Sequence, residues 1–322
     1  MSTPELSVVI PVYGCAGCLD ALHQRLHAAL DGAVPDWEVV YVDDASPDGS
    51  WEKLEELALT DPSVRALRLS RNFGQHAAIT AGLAESRGRW TAVMDCDLED
   101  RPEELPGMLR LAHEQGAEVV LTKRAHRRQP WHRRLAARGY FRLRNALLGT
   151  KVDPEHATLS VVSRPVVDAF LSMGDRDRQY ILILHWLGFR RAIVELEPGE
   201  RHEGHSSYSV RKLMRVAMDG MFFQTTALLR WITYLGFAVA ASGLVVAVVL
   251  VVLYFSNRPP PGYTSLAVLI LVVGGFIILS TGISGLYIGK IFEQVKGRPL
   301  YVIDRRTHAE VEARETETAR SR

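Results

Sequence analysis

The chain has little of what marks several protein classes. Only three of its 322 residues are cysteine (Cys15, Cys18, Cys96), which is no basis for a disulfide framework, and Cys15-x-x-Cys18 lacks the second pair of a zinc site. Lys and Arg number 38 and Asp and Glu 37, for a formal net charge of +1. No basic excess points to nucleic acid, and no nucleic-acid partner is expected. No secretory signal precedes the first apolar strand, which starts near Ser7. Charge is also missing from two long stretches, Ile232–Phe255 and Leu266–Ile288. Each is longer than the ~20 apolar residues that cross a hydrocarbon core. Buried helices of a soluble core are the alternative, but such helices rarely stay uncharged for so long.

What is present then orders the chain. Between the uncharged stretches lies the helix-breaking turn Ser256-Asn257-Arg258-Pro259-Pro260-Pro261-Gly262. Arg230 precedes the first stretch, Lys290, Lys296 and Arg298 follow the second, and the turn holds only Arg258. The positive-inside rule places both termini and the large N-terminal region on the cytoplasmic side of an inner membrane, as a multi-pass protein. The organisation read from these features is a globular region over 1–208, a juxtamembrane amphipathic helix over 209–230, a two-helix transmembrane hairpin over 231–290, and a tail over 291–322. The tail from Asp304 is rich in Arg, Glu and Thr and reads as disordered.

The first ~125 residues alternate strand and helix patterns, which predicts an α/β fold with a parallel, helix-covered sheet. The expected strands are Ser7–Val12, Glu38–Val42, Val64–Leu69, Trp90–Met94 and Glu118–Leu121; the expected helices are Leu19–Leu30, Ser50–Leu59, Gln75–Glu85 and Pro102–His113. Ligands of such sheets gather at the C-terminal ends of the strands. Polar clusters fall at four of those ends: Pro11-Val12-Tyr13, Asp43-Asp44-Ala45-Ser46, Arg71-Asn72-Phe73-Gly74 and Asp95-Cys96-Asp97-Leu98-Glu99-Asp100.

The acidic cluster carries the chemistry. If the segment is extended, Asp95, Asp97 and Glu99 point the same way and can converge. Close carboxylates repel one another, and their natural partner is a hard divalent cation with oxygen ligands, Mg²⁺ or Mn²⁺. The same acids would also suit the start of a helix at Pro102, so the local pattern leaves metal and cap both open. From Lys123 to Arg144 the chain turns basic, and Arg134, Arg138 and Arg142 recur at a spacing that puts them on one helix face. Ser209–Phe223 pairs Arg211 and Arg215 with Leu213, Met214, Met218 and Phe222. The first segment fits a helix on an anionic membrane surface or one facing phosphates, with a solvated surface helix as the alternative; the second fits an interfacial helix, with a core-packed helix as the alternative.

Taken together, these segments resemble the inverting GT-A glycosyltransferases of family 2, in the polyprenyl-phosphate (dolichyl-phosphate mannose synthase-like) branch. The resemblance rests on Val8-Val9-Ile10-Pro11-Val12-Tyr13, Val42-Asp43-Asp44-Ala45-Ser46-Pro47-Asp48-Gly49-Ser50, Leu69-Ser70-Arg71-Asn72-Phe73-Gly74-Gln75, Ala81-Gly82-Leu83 and Met94-Asp95-Cys96-Asp97-Leu98-Glu99-Asp100-Arg101-Pro102-Glu103. It continues in Ser163-Arg164-Pro165 and Gly204-His205-Ser206-Ser207-Tyr208. It implies a Rossmann-like nucleotide-sugar-binding domain, two C-terminal transmembrane helices with interfacial helices beside them, a nucleotide-sugar donor and a polyprenyl-phosphate acceptor for cell-envelope glycan modification. Assembly into a homo-oligomer is compatible with it. By the same resemblance Pro11 and Tyr13 line the nucleobase pocket, Asp44 reads the base or ribose, and Asn72 and Asp95 contact the nucleotide. Asp95, Asp97 and Glu99 sit where the family places its metal, with Glu99 in place of a commoner Gln. Arg124 and Arg138 match arginines that hold diphosphate or acceptor phosphate, and Arg201 one that closes over the phosphates.

The chain departs from the branch in two places: Thr158 stands where a carboxylate proposed as base is common, and Ser207 where a Lys is common. A hydroxyl acceptor needs a general base because its pKa is far above neutral. A phosphate monoester has a second pKa of ~6 and needs none. Direct transfer to a hydroxyl, with Asp153, Glu155 or His156 as base, is the alternative activity; a non-catalytic membrane scaffold is the alternative class. The Gln-x-x-Arg-Trp motif of processive polysaccharide synthases is absent at Leu229-Arg230-Trp231.

Overall fold

The computed structural model describes residues 3–124, 156–176, 178–196, 227–255 and 262–307. The chain forms two compact units, one comprising Met1–Leu135, Val152–Ser206 and Arg298–Arg322, the other Ala136–Lys151 and Ser207–Gly297.

Short runs of β-branched residues build the first unit. Strands β1 (Leu6–Val12), β2 (Trp37–Asp43), β3 (Val64–Leu69) and β4 (Trp90–Val93) form its parallel centre, in spatial order β3-β2-β1-β4. All seven residues of β1 are buried, as expected for a strand covered on both faces. Val8, Ile10, Val39 and Tyr41 face one layer, with Leu19, Leu22, Leu26 and Leu30 of α1 (Ala16–Leu30) and Trp51 and Leu54 of α2 (Ser50–Thr60). Val9, Val40, Val42 and Val93 face the other, with Ala78, Ile79 and Leu83 of α3 (Gln75–Glu85). The alternation along each strand therefore separates two cores, one on each face of the sheet. Helix α4 (Leu105–Gln115), preceded by a 3₁₀ turn at Pro102–Glu104, adds Leu105, Met108 and Leu109 to the first.

The sheet is mixed rather than parallel throughout. β5 (Val119–Arg124) does not pair with β4; β6 (His156–Ser163) lies between them, antiparallel to both. Helices α5 (Arg164–Ser172) and α6 (Tyr180–Leu187) follow, and β7 (Arg191–Leu196) pairs in parallel with β5. The tail expectation is also corrected. β8 (Ile303–Arg306) adds antiparallel to β3, so the eight-stranded order is β7-β5-β6-β4-β1-β2-β3-β8. Ser70 N donates to Val302 O at 2.9 Å and Ala66 N to Thr307 Oγ1 at 3.0 Å. Composition concealed this strand because an edge strand needs only backbone partners and one anchored side: Ile303 packs on the second core while Arg305 and Arg306 face out.

In the second unit α7 (Ala227–Phe255) and α8 (Tyr263–Val295) are long apolar helices. A Cβ on Gly236 of α7 would lie 3.8 Å from the Phe276 ring of α8. Large apolar side chains are exposed on both, Phe237 by 70 % and Ile278 by 74 %. Val272–Val295 is long and apolar enough to cross a bilayer, with mean hydropathy 1.7 and none of its window buried. The expected helices bearing Arg134, Arg138 and Arg142 and over Ser209–Phe223 lie outside the described residues.

Candidate active site

The order β3-β2-β1-β4 reverses direction at β1, and the crevice beyond such a switch point is where open α/β sheets bind ligands. The loops that leave β1, β2, β3 and β4 there are tied into a ring of hydrogen bonds. Asp44 N donates to Val12 O at 2.9 Å, and Met94 N to Val9 O at 3.2 Å. Gly14 N donates to Ser46 Oγ at 3.2 Å. The carboxylate of Asp48 accepts from Ala16 N at 2.9 Å, at the start of α1, and from Ser50 Oγ at 2.6 Å, at the start of α2. Burial alone would raise the Asp48 pKa; these bonds outweigh it and hold the carboxyl below its ordinary value.

Asp44 is buried, and both its oxygens are engaged by backbone amides, Phe73 N at 2.7 Å and Gly74 N at 2.8 Å. It fastens the end of β2 to the loop that carries Asn72, and only its remaining lone pairs face other partners. Burial pushes Asp44 above the usual carboxylate range, with the two amides opposing. Gly74, at the start of α3, sits at φ +95°, a region open to glycine and strained for other residues. Next to it, Gln75 Nε2 donates to Asp95 Oδ1 at 2.6 Å and so joins α3 to the acidic loop.

That loop alternates in burial: Asp95, Asp97 and Glu99 are half-buried, while Cys96, Leu98 and Asp100 are buried. Asp100 Oδ2 accepts from Asp95 N at 3.0 Å, and the Cys96 carbonyl accepts from the Cys15 thiol at 3.2 Å. Hydrogen bonding with Cys96 and burial push the Cys15 thiol up, so it remains a neutral S–H. Among the described residues, the His, Cys, Asp and Glu group whose ligand atoms all lie within 4.8 Å of one another is His23, His27 and Asp61. Within the loop Leu98 adopts φ +64°, and Glu99 N donates to Asp97 Oδ1 at 3.1 Å. Pro102 opens the 3₁₀ turn with Glu103 and Glu104 in its first turn, as the helix-start alternative expects, although neither that turn nor α4 has a side-chain cap.

The remaining expected residues are distributed around this ring. Pro11 is buried within β1, and Tyr13, just past its end, is 55 % exposed. Asn72 is exposed in the loop before α3. Arg124 ends β5, and its side chain, like all of Arg138 and Arg201, lies outside the described residues. Sequence reasoning quoted Gln75, Asp48 and Asp100 as parts of motifs without giving them a role; in the structure Gln75 and Asp48 tie neighbouring loops together and Asp100 braces the acidic loop internally. The signal for Asp48 was its place just before Gly49-Ser50, a helix start.

This strand order, with polar loops gathered at the switch point, is that of an α/β GT-A, Rossmann-like fold. The Glycosyl transferase family 2 model matches residues 7–171. An uncharacterised glycosyltransferase of Bacillus subtilis, YkcC, is 30 % identical over 303 residues, covering 94 % of each chain. The undecaprenyl-phosphate 4-deoxy-4-formamido-L-arabinose transferase of Proteus mirabilis is 33 % identical over 306 residues, covering 94 % of this chain and 93 % of that one. The SfII prophage-derived bactoprenol glucosyl transferase of Shigella flexneri is 31 % identical over 301 residues, covering 93 % and 97 %. The chain belongs to glycosyl transferase family 2 and is a glycosyltransferase.

Proposed function

We propose that this protein moves a sugar from a nucleotide sugar to the phosphate of an undecaprenyl-type lipid, with inversion at the anomeric carbon, in cell-envelope glycan modification. One observation carries the donor half: four strand-end loops at the switch point are locked together by Asp44, Asp48, Gln75 and the Cys15–Cys96 contact, with Tyr13 and Asn72 exposed and Asp95 and Asp97 half-buried. The acceptor half draws on the relatives of Proteus mirabilis and Shigella flexneri, whose names state undecaprenyl phosphate and bactoprenol.

The donor set of the acidic loop fits a hard cation: Asp95, Asp97 and Glu99 offer carboxylate oxygens, while the soft donors nearby, Cys15 and Cys96, are buried. Asp95, Asp97 and Glu99 would hold Mg²⁺ or Mn²⁺. When bound, the ion neutralises charge on the leaving diphosphate. Asp44 and Gln75 keep the Asn72 loop and Asp95 in fixed relation, so the donor meets a site that needs little reorganisation. Tyr13 offers a ring face to the base. An oxygen of the acceptor phosphate attacks the anomeric carbon from the face opposite the nucleoside diphosphate. The bond to the diphosphate oxygen breaks, and the nucleoside diphosphate leaves with that electron pair. The acceptor phosphate is already largely ionised at neutral pH, so Thr158 in place of a carboxylate is no obstacle.

The acceptor sits in a bilayer and the donor in water, which requires a site at the boundary. We assign α7 and α8 to a two-helix anchor with the catalytic unit and both termini cytoplasmic, from the flanking Arg230, Lys290, Lys296 and Arg298. Arg124, Arg138 and Arg201 are assigned to the phosphates. A direct test is limited proteolysis of the full-length protein. A nucleoside diphosphate with Mn²⁺ should protect the first unit, and neither alone should do so fully. Equal protection without the ion would remove Asp95 and Asp97 from donor binding.

A further inference from the structure

A second constellation of ligating side chains lies away from the acidic loop. His23 and His27 are four residues apart on α1 and so share a face, turned toward Asp61, the residue that follows α2. His27 Nε2 lies 2.7 Å and His23 Nε2 3.2 Å from one and the same atom, Asp61 Oδ2. Ser63 Oγ donates to that oxygen as well, at 2.8 Å, and Ser63 N to Oδ1 at 2.8 Å. Three donors therefore crowd one carboxylate oxygen, which has two lone pairs. His27 Nδ1 lies 2.9 Å from Asp31 Oδ2, and Asp31 Oδ1 in turn accepts from Trp37 Nε1 at 3.1 Å. Satisfied by hydrogen bonds alone, His27 must carry a proton on each nitrogen, both pointing at carboxylates. His23 Nδ1 is buried with no hydrogen-bond partner among the described residues.

We propose that His23, His27 and Asp61 form a site for a borderline divalent transition metal, Zn²⁺ foremost, which fastens α1 to the turn between α2 and β3. Two imidazoles and one carboxylate are a zinc donor set, distinct from the oxygen-only acids of the loop after β4. In a tetrahedral centre with bonds of ~2.0 Å, ligand atoms stand about 3.3 Å apart. The two N–O edges are already 2.7 and 3.2 Å, and all three ligand atoms lie within 4.8 Å of one another. Entry of the ion releases the Nε2 proton of His27 to solvent, shifts the His23 proton from Nε2 to Nδ1 and relieves the crowding on Oδ2. His27 Nδ1–H keeps its bond to Asp31, the outer hydrogen bond that fixes the tautomer of a metal-bound histidine. The fourth position is open to water from the side of His27, whose side chain is 34 % exposed, against 12 % for His23 and 14 % for Asp61.

The role is structural. α1 begins at Ala16, at the catalytic end of the sheet, and His23 and His27 lie two to three turns down it; Asp61 precedes Val64, which opens β3 at the opposite end. The ion would hold the far ends of α1 and α2 in place while their near ends frame the donor site through Asp48.

The test uses the full-length protein in detergent, stripped by a chelator and kept in saturating Mg²⁺ to occupy the oxygen site. Zn²⁺ is then titrated against a chromophoric chelator. One Zn²⁺ per chain is expected. His23→Gln and His27→Gln should each weaken binding by about a hundredfold or more, and Asp31→Asn by about tenfold, the usual effect of an outer-sphere partner. Unchanged zinc affinity in both histidine variants overturns the proposal. If those variants do not fold, Co²⁺ added to the wild-type chain decides. Intense visible bands of four-coordinate cobalt at one equivalent, lost on adding Zn²⁺, support the site; only the weak bands of six-coordinate cobalt, or no binding, overturn it.

Discussion

Gly82 offers the sharpest test of how the fold holds the candidate site together. It lies on α3 where the helix crosses β1 and β2, and a Cβ built on it would fall 2.3 Å from Val9 Cγ1 and 3.2 Å from Val42 Cγ2. Carbon atoms pack at 3.5–4.0 Å, so Gly82→Ala demands a local shift of about 1.2 Å or more. Val9 is fully buried, and its β-branched side chain has little rotamer freedom to give. Overpacking of this kind costs about 1–3 kcal/mol. For a unit of this size each kcal/mol lowers Tm by about 2–4 °C, so the expected fall is roughly 4–8 °C for a central cost of about 2 kcal/mol. Val9→Ala alone leaves a cavity and also costs about 2 kcal/mol. Together the two changes remove the clash, so the double variant should be more stable than the sum of the single losses by about 1 kcal/mol or more. Thermal unfolding of the four proteins, followed by near-UV circular dichroism in detergent, reads the cycle. An unchanged Tm in Gly82→Ala, or strictly additive losses, would refute the close approach of α3 to the sheet. Because α3 also presents Gln75 to Asp95, Gly82→Ala should lower transfer activity, and Val9→Ala should restore part of it in the double variant.

Other outcomes follow from the same geometry. Asp97→Ala should reduce sugar transfer by at least about a hundredfold, within the range lost when a transition-state contact is removed, while Tm stays within a few degrees of wild type. Glu103 makes a bidentate pair with Arg25 at 2.8 Å in both arms, which holds the 3₁₀ turn after the acidic loop against α1. The Arg25 guanidinium depresses the Glu103 pKa below its ordinary 4.5. The stability it contributes is therefore present above pH 4.5 and lost as pH falls through the depressed value. Glu103→Gln should flatten that acid limb in a Tm-against-pH series, with a loss at neutral pH below about 1 kcal/mol because both groups are partly exposed. Thr307→Val should leave Ala66 N, buried under β8, without its acceptor. A loss of about 1–3 kcal/mol and faster amide exchange along β3 and β8 are expected; unaltered exchange there would count against β8 as a strand of the sheet.

Much of this was legible from residues alone because each signal had one physical reading. Runs such as Val8-Val9-Ile10 and Val39-Val40-Tyr41 are too short and too apolar to be anything but strands covered on both faces. Asp95 to Asp100 followed such a run and fell at a sheet edge. What stayed hidden depended on long-range pairing. β6 mixes His156, Thr158 and Ser160 with Val161 and Val162, and its place between β4 and β5 is set by ladder partners distant in sequence. β8 was read as tail because three of its four residues are charged. Within the site, the left-handed turn at Leu98 has no sequence signature, since leucine rarely adopts it. The ties through Gln75 and Asp44 are equally silent in sequence, because they depend on loops that meet only when the sheet closes.

The most direct measurement is transfer itself. Purified full-length protein, undecaprenyl phosphate in detergent and Mn²⁺ are incubated with a panel of nucleotide sugars labelled in the sugar. The expected result is label in an organic-extractable, mild-acid-labile product with the anomeric configuration opposite to the donor's, lost in Asp97→Ala. Label that reaches only an acid-stable glycoside of a hydroxyl, or a product of retained configuration, would contradict the account.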